Sequence, residues 1–428
     1  MSYPYMMRIR QYFESPTLHD VTSAVREDVA KLLLSTRVKP GESIAVTVGS
    51  RGIANIALII KTLIEELKSL GAKPFVVPAM GSHGGGVAEA QRAIVESYGI
   101  TEDYIGVPIK STMEVAYVGT TEDGIPIFFD KFAYEADHVA VVGRIKPHTI
   151  FTGQIESGLH KMMLIGLGKH RGAIVYHQAI PLHNFDHIIR SVGKAVIEKC
   201  HILLGLAIIE NQYDKTALIR ALPPEEFYEG EKELLLLAKK WMPRLPFQQA
   251  DLLIVDQIGK NISGSGMDTN VIGRKYHDHH AHEGEFPKIT CIYVLDLTEE
   301  THGNAAGIGR AEYTRTQLVK KIDFESTYVN CITANRPSAA SIPIHYDSDQ
   351  RVLDVALTTT GLVKPENARI IRIHDTLNLR EVLVSKAYEE EMKNRMDLEI
   401  IEPAKPMEFD MDGNLLRSHL KTPSCGRG

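Results

Sequence analysis

The stretch ESGLHKMMLIGLGKHRGAIVYH, residues 156–177, sets Lys161 among apolar residues and His177 sixteen positions later (177 minus 161). In one continuous helix the two would stand about 24 Å apart at roughly 1.5 Å per residue, too far to share a small ligand. Gly166, Gly168 and Gly172 weaken such a helix and permit positive φ, so the chain can turn back and bring Lys161 and His177 to opposite ends of one bound molecule. On residue types alone, a surface lysine and a satisfied histidine on a turn-rich segment is the plainer reading.

Further reactive side chains fall where strands should end. SIAVTVGSR (43–51) is a β-branched run into a small-residue turn, and IANIALIIKTLIEELKSLG has apolar residues at helical spacing, closed by Gly71. KPFVVPAMGSHGGG followed by VAEAQRAIVESYGI repeats the pattern. Two such units in tandem predict a parallel, Rossmann-like sheet with covering helices, in which ligands sit beyond the carboxyl ends of strands. Those ends carry Ser50 and Arg51, then Ser82 and His83, and after HVAVVGRI, Lys146 and His148. The Arg51 guanidinium offers a planar fork for a carboxylate; its plainer role is a surface ion pair.

The proline-containing segment MPRLPFQQ (242–249) marks the boundary, giving an N-terminal domain over 1–245, a C-terminal domain over 250–405 and a tail over 406–428. DLLIVDQIG, TCIYVLDLT and ARIIRIHD make the second domain α/β as well. The expected fold is therefore two α/β domains with a cofactor cleft between them.

The motifs resemble the lactate racemase family. In that family the lysine of S-G-G-R-K holds a nickel-pincer nucleotide covalently and a later histidine completes nickel coordination; here S-G-L-H-K supplies Ser157, Gly158 and Lys161, with His177 at the matching distance. A family histidine in a P-H-x-F context corresponds to His148 in KPHTIF, and another in a G-T-H turn corresponds to His83 in GSH. The resemblance places Arg51 on the substrate carboxylate. It thins beyond residue 180. D-T-N-V-I-G (268–273) is similar to the family's D-x-N-x-Y-Q, with Ile272 and Gly273 in place of tyrosine and glutamine, and His160 stands where the family has arginine. Asn270 and Arg274 are the substrate-contact candidates there, and Gly273 leaves room for an acid larger than lactate, such as an aldonate or an aryl hydroxy acid.

The resemblance implies a racemase or epimerase acting at C2 of a 2-hydroxy acid, with nickel pyridinium-3-thioamide-5-thiocarboxylic acid mononucleotide as cofactor. That C–H is weakly acidic, so moving hydride to an electrophilic pyridinium avoids a carbanion. Hydride leaves as the hydroxyl loses its proton, and His83 and His148 are the expected pair of bases, one for each enantiomer. A pincer giving two sulfurs and a carbon leaves nickel needing one nitrogen, from His177. A different reading uses His277, His279, His280 and His282 of YHDHHAHEGE as the metal site of a hydrolase or lyase. A binding protein that keeps the fold without turnover is a third.

Net charge of −6 without a basic stripe argues against nucleic acid. Cys200, Cys291, Cys331 and Cys425 are far apart with no metal-finger spacing, as in a reducing compartment. With no signal-like N-terminus and no membrane-length apolar run, a cytoplasmic location is expected. The expected partners are the small acid substrate and, transiently, cofactor-maturation enzymes; an oligomer is compatible with the sequence.

Overall fold

Strand β1 (Met6–Gln11) does not fold with the residues that follow it: in the computed structural model it lies antiparallel between the strands Glu381–Ser385 and Leu398–Lys405. The structure describes residues 2–14, 16–49, 52–180, 182–416, 418 and 420, with the His177 side chain excepted. The chain divides into a unit of residues 15–242 and a unit of residues 1–14 with 243–428. The first fourteen residues, assigned by sequence to the N-terminal domain, thus belong with the C-terminal one. The pattern MMRIRQ explains the fit: Met7 and Ile9 are buried on one face, while Arg8 and Arg10 on the other pair with Glu381 at 2.6 and 2.8 Å.

The 15–242 unit contains β2 (Ser43–Val48), β3 (Lys73–Pro78), the hairpin of β4 (Val115–Thr120) and β5 (Pro126–Asp130), then β6 (His138–Arg144), β7 (Ile202–Glu210) and β8 (Thr216–Leu222). Five of these form a sheet in the order β3-β2-β6-β7-β8, parallel throughout except for β8. Its central strands are buried on both faces, hence their unbroken apolar runs. Alternate side chains serve different cores: Ala45, Val139 and Val141 join one, Ile44, Val46, Ala140 and Val142 the other. Helix Ile56–Ser69 presents Ile56, Ile59, Ile60, Leu63, Ile64 and Leu67 to the second core, and helix Phe185–Lys199 presents Phe185, Ile188, Ile189, Val192 and Val196 to the first.

The other unit adds β9 (Gln249–Ile258), β10 (Lys288–Leu297), β11 (Tyr313–Arg315), β12 (Ile344–Tyr346), β13 (Ile370–Ile373), β14 (Glu381–Ser385) and β15 (Leu398–Lys405). With β1 they form an eight-stranded sheet, β12-β11-β10-β9-β13-β14-β1-β15, parallel up to β13 and antiparallel after it. Residues 407–415 pack onto this unit. Phe409 bridges Leu415, and Leu415 N donates to the buried Asp349 carboxylate at 2.7 Å. Both units are α/β, as the sequence implied. The Cys200, Cys291 and Cys331 thiols are buried and free, with burial pushing Cys200 up to about 12; Cys425 lies outside the described residues. No described helix is long and apolar enough to cross a membrane.

Because Ile9 is fully enclosed in a strand flanked on both sides, Ile9→Ala is expected to cost about 2–5 kcal/mol. Hydrogen exchange should speed up in peptides from β14 and β15 and stay unchanged in β2 and β6.

Candidate active site

Three adjacent strands, β3, β2 and β6, end at the same edge of the N-terminal sheet and carry the reactive pairs named above. After β2 the described chain stops at Gly49; Ser50 and Arg51 lie outside the described residues, so the carboxylate-binding expectation for Arg51 falls there too. After β3 the chain makes a glycine turn with positive φ at Gly81 and from Gly84 to Gly86. His83 is exposed on this turn, with its ring Nδ1 2.9 Å from the Met80 carbonyl oxygen. A carbonyl can only accept, so Nδ1 holds the ring proton and Nε2 is the acceptor of the neutral imidazole. The turn is pinned from below by buried Gln91, whose amide donates to Gly81 O at 2.9 Å and His83 O at 3.0 Å.

Beyond β6, Lys146 and Ser157 exchange backbone hydrogen bonds of 3.0 and 3.2 Å, closing residues 146–157 into a loop. His148 N donates to Glu156 Oε2 at 2.7 Å, and buried Glu156 meets Lys239 Nζ at 2.8 Å through its other oxygen. The imidazole is set differently from that of His83. Its Nδ1 accepts from the peptide N–H groups of Ile150 and Phe151, both at 3.1 Å, and the ring stacks on Phe151, itself stacked on Phe185.

Lys161 closes a single helical turn, Leu159–Lys161, that passes into a π-helical turn, Met162–Gly166, and then into helix Lys169–Ala179. Its Nζ donates to Ser157 Oγ at 3.3 Å, so two residues assigned to the cofactor do meet. Met162 lies over two strand ends: a Cβ at Gly49 would be 3.2 Å from its Cε, and one at Gly143 would be 2.9 Å from its Cγ. Gly158 has a packing reason of its own, since a side chain there would strike Ile145 and the Glu231 carboxylate. His160 is turned inward, 3% exposed, edge-on to Phe227 and beside Glu231, in space left by Gly193. Where the family has arginine, this chain therefore has a core residue.

The segment 156–177 breaks as expected, by a different device. Neither Gly166, Gly168 nor Gly172 has positive φ; Lys169 does, at 55°. The glycines serve close approach instead: a Cβ on Gly166 would fall 2.8 Å from Ala79 O, and one on Gly168 would fall 2.1 Å from Leu164 O. Lys169 is fully buried. Its Nζ donates to Pro78 O and to Gln91 Oε1 at 3.3 Å and pairs with Asp130 at 3.0 Å. Burial pulls the Lys169 pKa down and pushes that of Asp130 up, and the attraction between the two opposes both shifts. Sequence reading missed Lys169, Gln91 and Asp130. The one available signal was a lysine inside IGLGK, which by itself does not separate a buried cation from an exposed one. His177 sits in helix Lys169–Ala179 by its backbone, and its side chain lies outside the described residues.

The candidates in the other unit have structural duties. Arg274, expected at substrate, is 1% exposed and bound to Glu312 at 2.7 Å and to the carbonyls of Asp278, Arg310 and Ile289. Asn270 is part-buried and donates to Asp268 at 2.9 Å. Gly273 does not open space for a larger acid: a Cβ there would lie 1.9 Å from the Pro287 carbonyl oxygen, so backbone already fills the volume. In the histidine tract, His277 stacks on His280 at 4.4 Å, while buried Asp278 anchors the loop to Arg336, Arg310 and Ser338. Among the described residues no three His, Cys, Asp or Glu side chains are grouped to hold a metal ion.

Residues 9–187 match the lactate racemase N-terminal domain. This part of the chain, 179 of 428 residues (187 minus 9, plus 1), is therefore similar to the N-terminal domain of lactate racemases. The lactate racemase apoprotein from Thermoanaerobacterium thermosaccharolyticum has a similar fold, with a TM-score of 0.54 at 12% identity over 86% of this chain and 94% of that one. A structural genomics target from Thermotoga maritima aligns at a TM-score of 0.48 and 15% identity, over 77% and 83% of the two chains. No curated protein matches the chain. The Lys161 turn, the His83 turn and the His148 loop all lie inside the part matched to the lactate racemase domain.

Lys169→Met would leave Asp130 buried without its cation and is expected to cost about 3–5 kcal/mol in urea denaturation. Adding Asp130→Asn, which keeps the acceptor for Ala133 N, should recover most of that loss.

Proposed function

We propose that this chain inverts C2 of a 2-hydroxy acid, as a racemase or epimerase, with a nickel-pincer nucleotide tethered to Lys161. The observation that carries this reading is the placing of a part-exposed lysine amine beside Ser157 Oγ, on a turn seated against the strand end of β6, with His83 and His148 at the same edge of the sheet. The donor chemistry suits such a group: an amine for covalent attachment, a hydroxyl beside it and an imidazole at position 177 as the nickel ligand. When bound, the cofactor would supply an electrophilic pyridinium suited to hydride chemistry at C2.

The chain's own residues do the rest. His83 and His148 handle the hydroxyl proton and the substrate oxygens, and Arg51 holds the carboxylate. Close packing of the 159–168 segment on the strand ends keeps bulk water out from beneath Lys161. Ile272, fully buried, and Gly273, packed on Pro287, offer no polar contact like the family's tyrosine and glutamine, so the substrate's far end is recognised by other groups than in lactate racemases. The setting is the cytoplasm, with the cofactor-building enzymes as transient partners.

Protein co-expressed with the cofactor-building enzymes should carry nickel and a mass adduct on Lys161 by intact mass spectrometry. Lys161→Ala should lose both the adduct and interconversion of enantiomers. Full activity from an unmodified polypeptide would end the proposal.

A further inference from the structure

Helix Ala88–Ser97, which follows the His83 turn, sends the side chain of Gln91 into the interior with no exposure. Its amide nitrogen donates to Gly81 O at 2.9 Å and to His83 O at 3.0 Å, and its amide oxygen accepts from Lys169 Nζ at 3.3 Å. Carbonyl oxygens can only accept and an ammonium can only donate, so the two ends of this amide cannot exchange places. The position calls for glutamine. Asparagine has the same groups on a stem one methylene shorter, and an ionised glutamate would set oxygen against both carbonyls.

The turn that Gln91 holds is rich in glycine. Gly81, Gly84, Gly85 and Gly86 all have positive φ, and glycine gives up the side-chain packing by which a turn can be fixed. Gln91 ties it to the interior at residues 81 and 83, on either side of Ser82. Gln91 is anchored in its turn. Lys169 Nζ also donates to Pro78 O and pairs with Asp130 at 3.0 Å, while Asp130 Oδ1 accepts from Ala133 N at 2.9 Å. The ends of β3 and β5, helix Ala88–Ser97 and the start of helix Lys169–Ala179 therefore meet at one buried ammonium.

We propose that Gln91 is a positioning residue: through the carbonyls of Gly81 and His83 it sets where the His83 imidazole stands at the strand edge, with the Lys169–Asp130 pair holding its amide in place. This rests on the reading of His83 as a group that handles the substrate's hydroxyl proton. Being enclosed, Gln91 acts only through the turn. A displacement of about 1 Å at a proton-handling group costs on the order of 10²-fold in rate. Attachment of the cofactor depends on Lys161 and is left intact.

The test uses matured full-length enzyme carrying Gln91→Met, which keeps the length and removes all three hydrogen bonds, or Gln91→Glu, which keeps the acceptor for Lys169 and removes the donor. Both should lower kcat about 10²-fold and leave KM within about threefold, with nickel content and the Lys161 adduct as in the unsubstituted enzyme. Amide hydrogen exchange in peptides covering 80–87 should be about tenfold faster, and that of β2 and β6 unchanged. Undiminished kcat in Gln91→Glu, a loss of kcat that tracks loss of nickel or adduct, or unchanged exchange in the turn overturns the proposal. Where Gln91→Met fails to fold, Gln91→Glu, which retains the ammonium's partner, carries the test. Failure of the racemase reading shows in the unsubstituted enzyme, as a missing adduct or no interconversion, whereas failure of this inference shows only in the variants.

Discussion

The candidate site depends on one backbone-to-backbone seam. The π-helical turn after Lys161 lies so close to the end of β3 that Gly81 N donates to Gly166 O at 3.1 Å, and a side chain on either glycine would strike main-chain oxygen of the other segment. Main chain cannot yield as a flexible side chain can, so this approach fixes the Lys161 turn and the His83 turn relative to each other. The buried Lys169 ammonium adds a second tie across the same seam. It reaches back to Pro78 O at the end of β3 and to Gln91, which in turn holds the carbonyls on either side of Ser82.

Such a tie is chemically demanding. An ammonium with no exposure needs close acceptors and a counter-charge, and here Pro78 O and Gln91 Oε1 accept from it while Asp130 pairs with its charge. The same contacts offset the strain of a lysine at φ 55°, a region ordinarily left to glycine or asparagine. The break between the π-helical turn and helix Lys169–Ala179 is thus held by a charge network, with the nearby glycines reserved for close approach.

That division of labour explains what the sequence could and could not convey. The repeating strand-turn-helix units, the parallel sheet and the reactive side chains at strand ends follow from local patterns, and the structure has them. The home of β1 was not legible, because its partners β14 and β15 lie about 370 to 400 residues away and a six-residue alternating strand fits many edges. Gly273 looked like spare volume because sequence does not show that Pro287 fills it. Arg274 looked available because an arginine after a loop is ordinarily exposed, whereas this one meets Glu312 and several carbonyls in the interior. Lys169 was passed over for the complementary reason.

The histidines show the same limit at the scale of single atoms. Residue type and position made His83 and His148 candidates for handling protons, but imidazole has two nitrogens, and the group behind each ring is not legible in the sequence. A glycine turn put a carbonyl behind His83; a tight loop closed by Lys146 and Ser157 put two N–H groups behind His148. Both are main-chain features of loops, set by how the chain leaves β3 and β6. Motifs such as GSH and KPHTIF preserve the residue and leave its protonation state open.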